Sequence, residues 1–316
     1  SDTAWTAFSS AQQVSTTYDA NARKIAERTQ AGGTTFALTS YSYDARGRLE
    51  CATQRMNPAA FASPPGACSL GTQGNFGPDR ITRNVYDAAS QLIKVQKAVG
   101  TADQVDDMTV TYTNSGQQVT LTDGKNNRTT YAYDGHNRLR ETFFPSKSQP
   151  NVSDFGDFVQ LSYDANGNVT QRRLRDGSAI TYTYDALDRV VSKIVPERAG
   201  LDPTHTRDVY YGYDLQGRML FARFDNANGE GVSNVFDALG RATSSTKTMN
   251  GSWVLGRGFD QNGNRTSFTF ADGLSAFTSF DPLGRPLNMS HGATWIEVNA
   301  YDNQGRRIWR DNANGM

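Results

Sequence analysis

Short runs in which apolar and polar residues alternate with a period of two recur along the whole chain, as in Ile180-Thr181-Tyr182-Thr183-Tyr184 and Tyr41-Ser42-Tyr43. Runs of β-branched and aromatic residues with this period predict half-buried strands. Each run leads into one recurring turn signal. It is clearest as Tyr213-Asp214-Leu215-Gln216-Gly217-Arg218, Phe236-Asp237-Ala238-Leu239-Gly240-Arg241, Phe280-Asp281-Pro282-Leu283-Gly284-Arg285 and Tyr301-Asp302-Asn303-Gln304-Gly305-Arg306. An aromatic and an aspartate, two variable residues, a small or turn-forming residue and usually an arginine describe them all. Further copies begin at Tyr18, Tyr43, Tyr86, Tyr133, Tyr163, Tyr184 and Phe259, with a degenerate one at Tyr112, where Thr113 stands in place of the aspartate. Self-similarity over about twelve copies outranks any single motif as evidence of architecture.

The unit reads as a β-hairpin plus the turn to the next one. The aspartate accepts hydrogen bonds from backbone amides ahead of it, and Gly, Asn or Asp at the fifth position tolerates a left-handed backbone. A second punctuation falls between copies, at Asp123-Gly124, Asp176-Gly177, Asp225-Asn226, Asn250-Gly251 and Asp272-Gly273, dipeptides suited to hairpin tips. Two strands and two turns fill the 21 residues that separate Tyr163 from Tyr184, or Phe259 from Phe280. The expected fold is all-β: an array of about twelve hairpins running through residues 1–316 as a single body.

Width decides how such an array is disposed. About 24 strands at roughly 4.8 Å make a sheet on the order of 115 Å wide, far beyond the width at which a twisted open sheet stays unfurled. Rolled once, it has a radius of about 18 Å, and side chains of facing walls do not meet across it. A curved or spiralling hollow shell segment is therefore expected. The alternative is a β-propeller, since two hairpins match the roughly 40 to 45 residues of a four-stranded blade. Propeller hairpins, however, alternate in character between inner and outer strands, and neighbouring copies here look interchangeable.

Composition narrows the partners. Hydrophobic residues make up 37% of the chain and mean hydropathy is -0.62, while 29 Gly and 14 Tyr supply turns and strands. That balance suits sheet with much wetted surface. The 32 basic and 32 acidic residues cancel, leaving no electrostatic case for nucleic acid or an anionic membrane. No apolar run approaches the roughly 20 residues of a membrane span, and no signal-peptide pattern opens the chain. Residues 1–11 read as the interior of something longer, so a fragment or processed piece is expected.

The Tyr-Asp-x-x-Gly-Arg units resemble those of the Rhs and YD-repeat proteins, the family of bacterial Rhs polymorphic toxins, the B and C components of Tc toxins, wall-associated proteins and teneurins. The resemblance covers essentially the whole chain. It implies a large spiralling β-hairpin shell, which in the bacterial toxins encloses a carboxy-terminal toxic domain. On that basis the implied partners are the remainder of the chain's own shell and an enclosed cargo domain. The family's closing segment carries an Asp-Pro signature followed by Gly and Leu. Here the nearest string, Asp281-Pro282-Leu283-Gly284-Arg285, lies inside an ordinary repeat and reads as a turn, so self-cleavage is not assigned.

Interruptions of the repeat carry the remaining candidates. Between Tyr43 and Tyr86 an insertion at about 51–80 holds the chain's two cysteines, Cys51 and Cys68, around Pro58, Pro64 and Pro65. Two cysteines bracketing one insertion suggest a disulfide, with reduced structural thiols as the alternative. A bridge points to an oxidising compartment, hence a secreted or cell-surface bacterial protein. Polar, Pro-bearing excursions at 145–157 and 196–207 read as solvated spacers or binding loops. His136, His205 and His291 lack metal-ligand spacing. Asp164, Asn166 and Asn168, like Asp260, Asn262 and Asn264, echo the start of a calcium loop, but the glycine falls at the fourth place and no closing glutamate follows. No catalytic residue, metal site or cofactor is assigned.

The repeat-turn residues Tyr43, Asp44, Arg48, Tyr133, Asp134, Arg138, Tyr184, Asp185, Arg189, Tyr213, Asp214, Arg218, Phe236, Asp237, Arg241, Phe280, Asp281, Arg285, Tyr301, Asp302 and Arg306 are assigned a structural role. Each arginine is expected to pair with an aspartate of its own or the adjacent turn; a free ladder of guanidinium groups for acidic glycans is the other reading. The expected function is a shell segment helping to encapsulate a toxin or other cargo. The alternative is a cell-surface adhesion or glycan-binding array. An enzyme ranks third.

Overall fold

The structure is a computed structural model that describes residues 12–292 and 294–313; the segment 1–11, read above as the interior of a longer protein, lies outside them. The chain divides into two compact units, Ser1–Gln160 and Leu161–Met316. The first holds β1 (Gln13–Tyr18), β2 (Lys24–Ala31), β3 (Thr34–Tyr43), β4 (Leu49–Arg55), β5 (Arg80–Tyr86), β6 (Leu92–Lys97), β7 (Val105–Tyr112), β8 (Gln118–Asp123), β9 (Arg128–Tyr133), β10 (Leu139–Pro145) and the start of β11 (Ser153–Tyr163). The second holds β12 (Val169–Arg173), β13 (Ala179–Tyr184), β14 (Val190–Ile194), β15 (Val209–Tyr213), β16 (Met219–Phe224), β17 (Gly231–Phe236), β18 (Ala242–Lys247), β19 (Trp253–Phe259), β20 (Arg265–Thr269), β21 (Ser275–Phe280), β22 (Pro286–His291), β23 (Thr294–Tyr301) and β24 (Arg307–Asn312).

Within each unit every strand pairs antiparallel with the one before and the one after it, from β1 to β11 and from β12 to β24. The fold is the all-β hairpin array read from the sequence. It is not a propeller, because four-stranded blades would interrupt the backbone ladder at every fourth strand and the ladder here runs on.

The repeated turn has one construction. Between β3 and β4 the Asp44 carbonyl accepts the Gly47 N–H at 2.9 Å, and the Asp44 N–H donates to the Arg48 carbonyl at 2.9 Å. Gly47 has φ of 80°, and the register slips between Ser42 and Tyr43. This is a three-residue loop closed by a bulge whose extra residue is left-handed. The slip recurs at Tyr86, Tyr112, Tyr184, Tyr213, Phe236, Phe259, Phe280 and Tyr301. The intervening tips reuse the plan, as where the Gly177 N–H donates to the Leu174 carbonyl at 3.0 Å. At the Asp123 tip the left-handed residue is Asn126, with φ of 62°, and not Gly124.

The array has little interior. It exposes 19881 Å², whereas by area–mass scaling a compact 34.7 kDa monomer exposes about 13,000 Å² and two compact halves about 15,700 Å² together. Both sheet faces are thus wetted over most of their extent. Among the described residues the buried apolar side chains are Ala26, Leu38, Cys51, Phe61, Ala67, Ile81 and Val110, all in the first unit. Most gather around the insertion between β4 and β5, which opens on a short 3-10 turn, Pro58–Ala60, capped by the Asn57 side chain. Phe61 of the insertion packs on Ala26 and Leu38 of β2 and β3. Its Ala67 packs on Cys51 and Ile81 of β4 and β5.

The left-handed slot offers a direct test. Ser90 occupies it with φ of 68° and is solvent-exposed. Ser90→Gly is expected to stabilise the first unit by about 1 kcal/mol, because a Cβ in that region costs about that much. Gly240→Ala is expected to do the reverse, since its Cβ would stand 2.9 Å from the Arg218 guanidinium. Urea midpoints of the two variants moving in opposite directions are the expected result.

Candidate functional site

The side chains of the repeated turn build a ladder with two kinds of link. The first lies within a turn. Asp44 Oδ1 accepts the N–H groups of Arg46 at 2.9 Å and Arg48 at 3.0 Å, while its Oδ2 takes Arg48 Nε at 2.7 Å. The same Arg Nε bond, at 2.5–2.7 Å, joins Asp19 to Arg23, Asp134 to Arg138, Asp185 to Arg189, Asp214 to Arg218, Asp237 to Arg241, Asp281 to Arg285 and Asp302 to Arg306. Spacing of four residues across a three-residue loop folds the arginine back onto its aspartate.

The second link runs to the next turn, and sequence reasoning did not find it. Six of the guanidinium groups that close on their own aspartate also cover the first aromatic of the following repeat. Arg23 covers Tyr43 at 4.7 Å, Arg48 covers Tyr86 at 4.5 Å, and Arg189 covers Tyr213 at 4.7 Å. Arg218 covers Phe236 at 4.8 Å, Arg241 covers Phe259 at 4.7 Å, and Arg285 covers Tyr301 at 4.6 Å. Nη1 reaches further to the carbonyl of the next aspartate, from Arg189 to Asp214 and from Arg241 to Asp260, each at 2.9 Å. The tyrosine hydroxyls point backward. Tyr43 donates to the Lys24 carbonyl at 2.9 Å, Tyr133 to Gln118 at 2.8 Å, Tyr184 to Val169 at 2.9 Å and Tyr301 to Pro286 at 3.0 Å.

A planar ion with five donors suits this seat: Nε and one Nη serve the carboxylate, the other Nη serves a carbonyl, and the face serves a ring. Where the sixth residue is asparagine the turn closes locally, as Asn264 Nδ2 does on Asp260 Oδ2 at 2.8 Å. In the string Asp164, Asn166, Asn168 both asparagine amides reach across to Asp188 Oδ1, at 2.9 and 2.7 Å. Both calcium-like strings therefore form turns whose oxygens already accept amide hydrogens.

The carboxylates are held in their charged form. The Arg48 guanidinium and N–H keep Asp44 below its ordinary range, and the N–H of Arg138 leads in drawing Asp134 down to about 2. Asp185, Asp237, Asp281 and Asp302 are lowered by the same bonds from Arg189, Arg241, Arg285 and Arg306. At Asp214 burial pushes upward, and the bonds from Arg218 outweigh it. Saturated acceptors of this kind are poorly suited to general-base work.

A second polar centre sits under the insertion. Cys51, on β4, is joined by a disulfide to Cys68 in the insertion. At that strand's end, Arg55 is almost wholly buried against Asp79, with side-chain exposures of 2% and 6% and Nη1 2.7 Å from Asp79 Oδ2. Its remaining donors meet the carbonyls of Ser69 at 2.8 Å, Pro65 at 2.6 Å and Gly66 at 2.8 Å, and Ser40 Oγ at 3.4 Å. Thr53 donates to the Ala67 carbonyl. Burial would raise the Asp79 carboxyl, but the Met56 N–H, Arg55 and the Gly71 N–H hold it below its usual value. Among the described residues, His136, His205 and His291 included, no group of three or more His, Cys, Asp or Glu side chains is placed to hold a metal ion. No helix among them is long and apolar enough to cross a membrane.

The family model described as RHS Repeat matches residues 163–199, and the turns on either side repeat the geometry of that stretch. Residues 163–199 are thus similar to an Rhs repeat. No curated protein matches it significantly. Among solved structures it is similar to a crystal structure of TcdB2-TccC3, at 13% identity and a TM-score of 0.47 over 95% of this chain and 21% of that one. It is also similar to a chain of the Photorhabdus luminescens Tc holotoxin pore with a mutated TccC3, at 12% identity and a TM-score of 0.37 over 96% and 23%. The chain thus spans about a fifth of the length of these neighbours.

Acid dissects the ladder. Because the turn aspartates have lowered pKa values in the folded chain, their contribution is complete above the ordinary carboxylate value of 3.8 and fades as pH falls toward about 2. The urea midpoint is expected to stay level above pH 5 and fall steeply below pH 4. Asp79→Ala strands a buried guanidinium and is expected to cost about 3–5 kcal/mol in the first unit. The check is urea unfolding followed by the intrinsic fluorescence of that unit.

Proposed function

We propose that the chain is a stretch of shell wall in a larger secreted or cell-surface protein, one continuous array across residues 1–316 that helps to enclose a cargo domain. The observation that carries this reading is the spending of the motif. The recurring aspartate, arginine and aromatic bond one turn to the next, as in Asp185–Arg189–Tyr213, which is what a wall needs and what a catalytic or recognition surface does not. The wetted, thin sheet supports it, since such a sheet divides an inside from an outside without a filled core. The disulfide between Cys51 and Cys68 supports an oxidising location. The turn aspartates and arginines are structural in this reading, and no catalysis is assigned to them.

The glycan-binding reading loses its physical basis in the arginine row. Donors of Arg48, Arg189, Arg241 and Arg285 go to their own aspartate and to the next backbone carbonyl, so no line of free guanidinium forks faces an acidic sugar. Limited proteolysis of the full-length gene product tests enclosure. A domain outside this array is expected to resist protease at concentrations that digest it when expressed alone; equal cleavage in the two forms rejects the proposal.

A further inference from the structure

Four Asn-Gly pairs lie among the described residues, at Asn166-Gly167, Asn228-Gly229, Asn250-Gly251 and Asn262-Gly263; Asn314-Gly315 lies outside them. In such a pair the glycine nitrogen, unshielded by a Cβ, stands next in the chain to the asparagine side-chain amide carbon, and the two can join in a five-membered ring. Engagement of that nitrogen restrains the reaction. In three of the pairs the turn supplies it: the Gly167 N–H donates to the Asp164 carbonyl at 3.2 Å, Gly229 to Asn226 at 3.1 Å and Gly263 to Asp260 at 3.2 Å. Asn166 is held twice over, because its side-chain amide also donates to Asp188 Oδ1 at 2.9 Å.

Asn250-Gly251 is built differently. It forms the tip between β18 and β19, beyond the last ladder pair of Lys247 with Trp253. Asn250 itself takes a left-handed backbone, with φ of 55°, and Gly251 follows with φ of 116°; the asparagines of the other three pairs keep negative φ. Among the described residues the Gly251 N–H makes no hydrogen bond of ordinary length and angle, and the Asn250 side chain makes none either. Asn250, Gly251 and Ser252 are all exposed, so water reaches both reacting atoms.

We infer that Asn250 is a site of self-modification, at which the Gly251 nitrogen displaces ammonia from the asparagine side chain. Hydroxide takes the Gly251 N–H proton and the nitrogen attacks Asn250 Cγ. The Cγ–Nδ2 bond then breaks, and the amide nitrogen leaves as ammonia with a proton supplied by water. The succinimide ring takes up one water molecule. Opening at Cγ gives aspartate; opening at the main-chain carbonyl breaks the original peptide bond and leaves the chain running through the side chain as isoaspartate. Either product sets a new carboxylate at the β18–β19 tip, on a chain whose 32 basic and 32 acidic residues otherwise cancel. Isoaspartate also lengthens the main chain of the tip by one methylene. The inference does not depend on the shell reading, since it rests on one hairpin tip.

Incubation of the whole chain in mildly alkaline buffer, followed by peptide mapping with mass spectrometry, tests it, and a parallel sample in concentrated urea supplies the unfolded reference. In the folded chain Asn250 is expected to convert at least about fivefold faster than Asn166, Asn228 and Asn262, the factor that a hydrogen bond on the attacking nitrogen is worth. The rate is expected to rise with hydroxide concentration, and the Asn250 peptide to accept methyl label from an isoaspartyl methyltransferase. In urea, where the turn hydrogen bonds are lost, the four rates are expected to converge. Equal rates in the folded chain overturn the inference. A lead of Asn250 that persists undiminished in urea also overturns it, because neighbouring sequence and not the fold of the tip then sets the rate.

Discussion

A sheet with water on both faces has almost no buried apolar surface to hold its strands in register, and the rest of this structure follows from that constraint. Register and twist must instead be fixed from the edge, turn by turn. The arginine that closes one hairpin and lies on the ring opening the next does this with a single side chain. It binds charge to charge within a turn, and covers apolar surface between turns. Each contact is modest, because the groups are partly solvated. Repeated at regular intervals, they add a side-chain link between neighbours to the backbone ladder, as in other arrays whose stability is a sum over nearest-neighbour links.

The first unit departs from this economy at one place. The insertion between β4 and β5 lays Phe61 and Ala67 on the sheet and so gives the wall a local second layer. Its backbone is not strand, so its carbonyls need donors from elsewhere, and Arg55 supplies them to Pro65, Gly66 and Ser69 at once. The buried pair with Asp79 is the counterweight that makes such an arginine tolerable under a layer of protein. The disulfide then fixes the far side of the insertion to β4.

Most of the hairpin architecture was legible in the order of residues, because its causes are local. The period of two, the aspartate ahead of free amides and the left-handed fifth residue all act within a few positions. Arg218 on Asp214 is likewise a contact across four residues. Arg48 on Tyr86 was not legible, since the insertion separates them and the arginine has two roles that sequence shows as one. Arg55 gave no signal either, for it lies outside the motif and takes its partners from irregular backbone. The Asp123 tip was read correctly as a turn, but Gly124 drew attention from Asn126, which carries the unusual φ.

The direction of the stacking contact has a consequence for how such a chain changes length. Where the arginine is present its guanidinium reaches toward the following ring, and where the aromatic is tyrosine its hydroxyl reaches toward the preceding strand, so such repeats present the same socket behind and the same plug ahead. Excising one whole repeat brings an arginine to a ring it had not met before, in an equivalent seat. Loss of half a repeat leaves both without a partner. Such an array keeps its links when it gains or loses a whole repeat, whereas other changes in length must be taken up in loops, as in the insertion between β4 and β5.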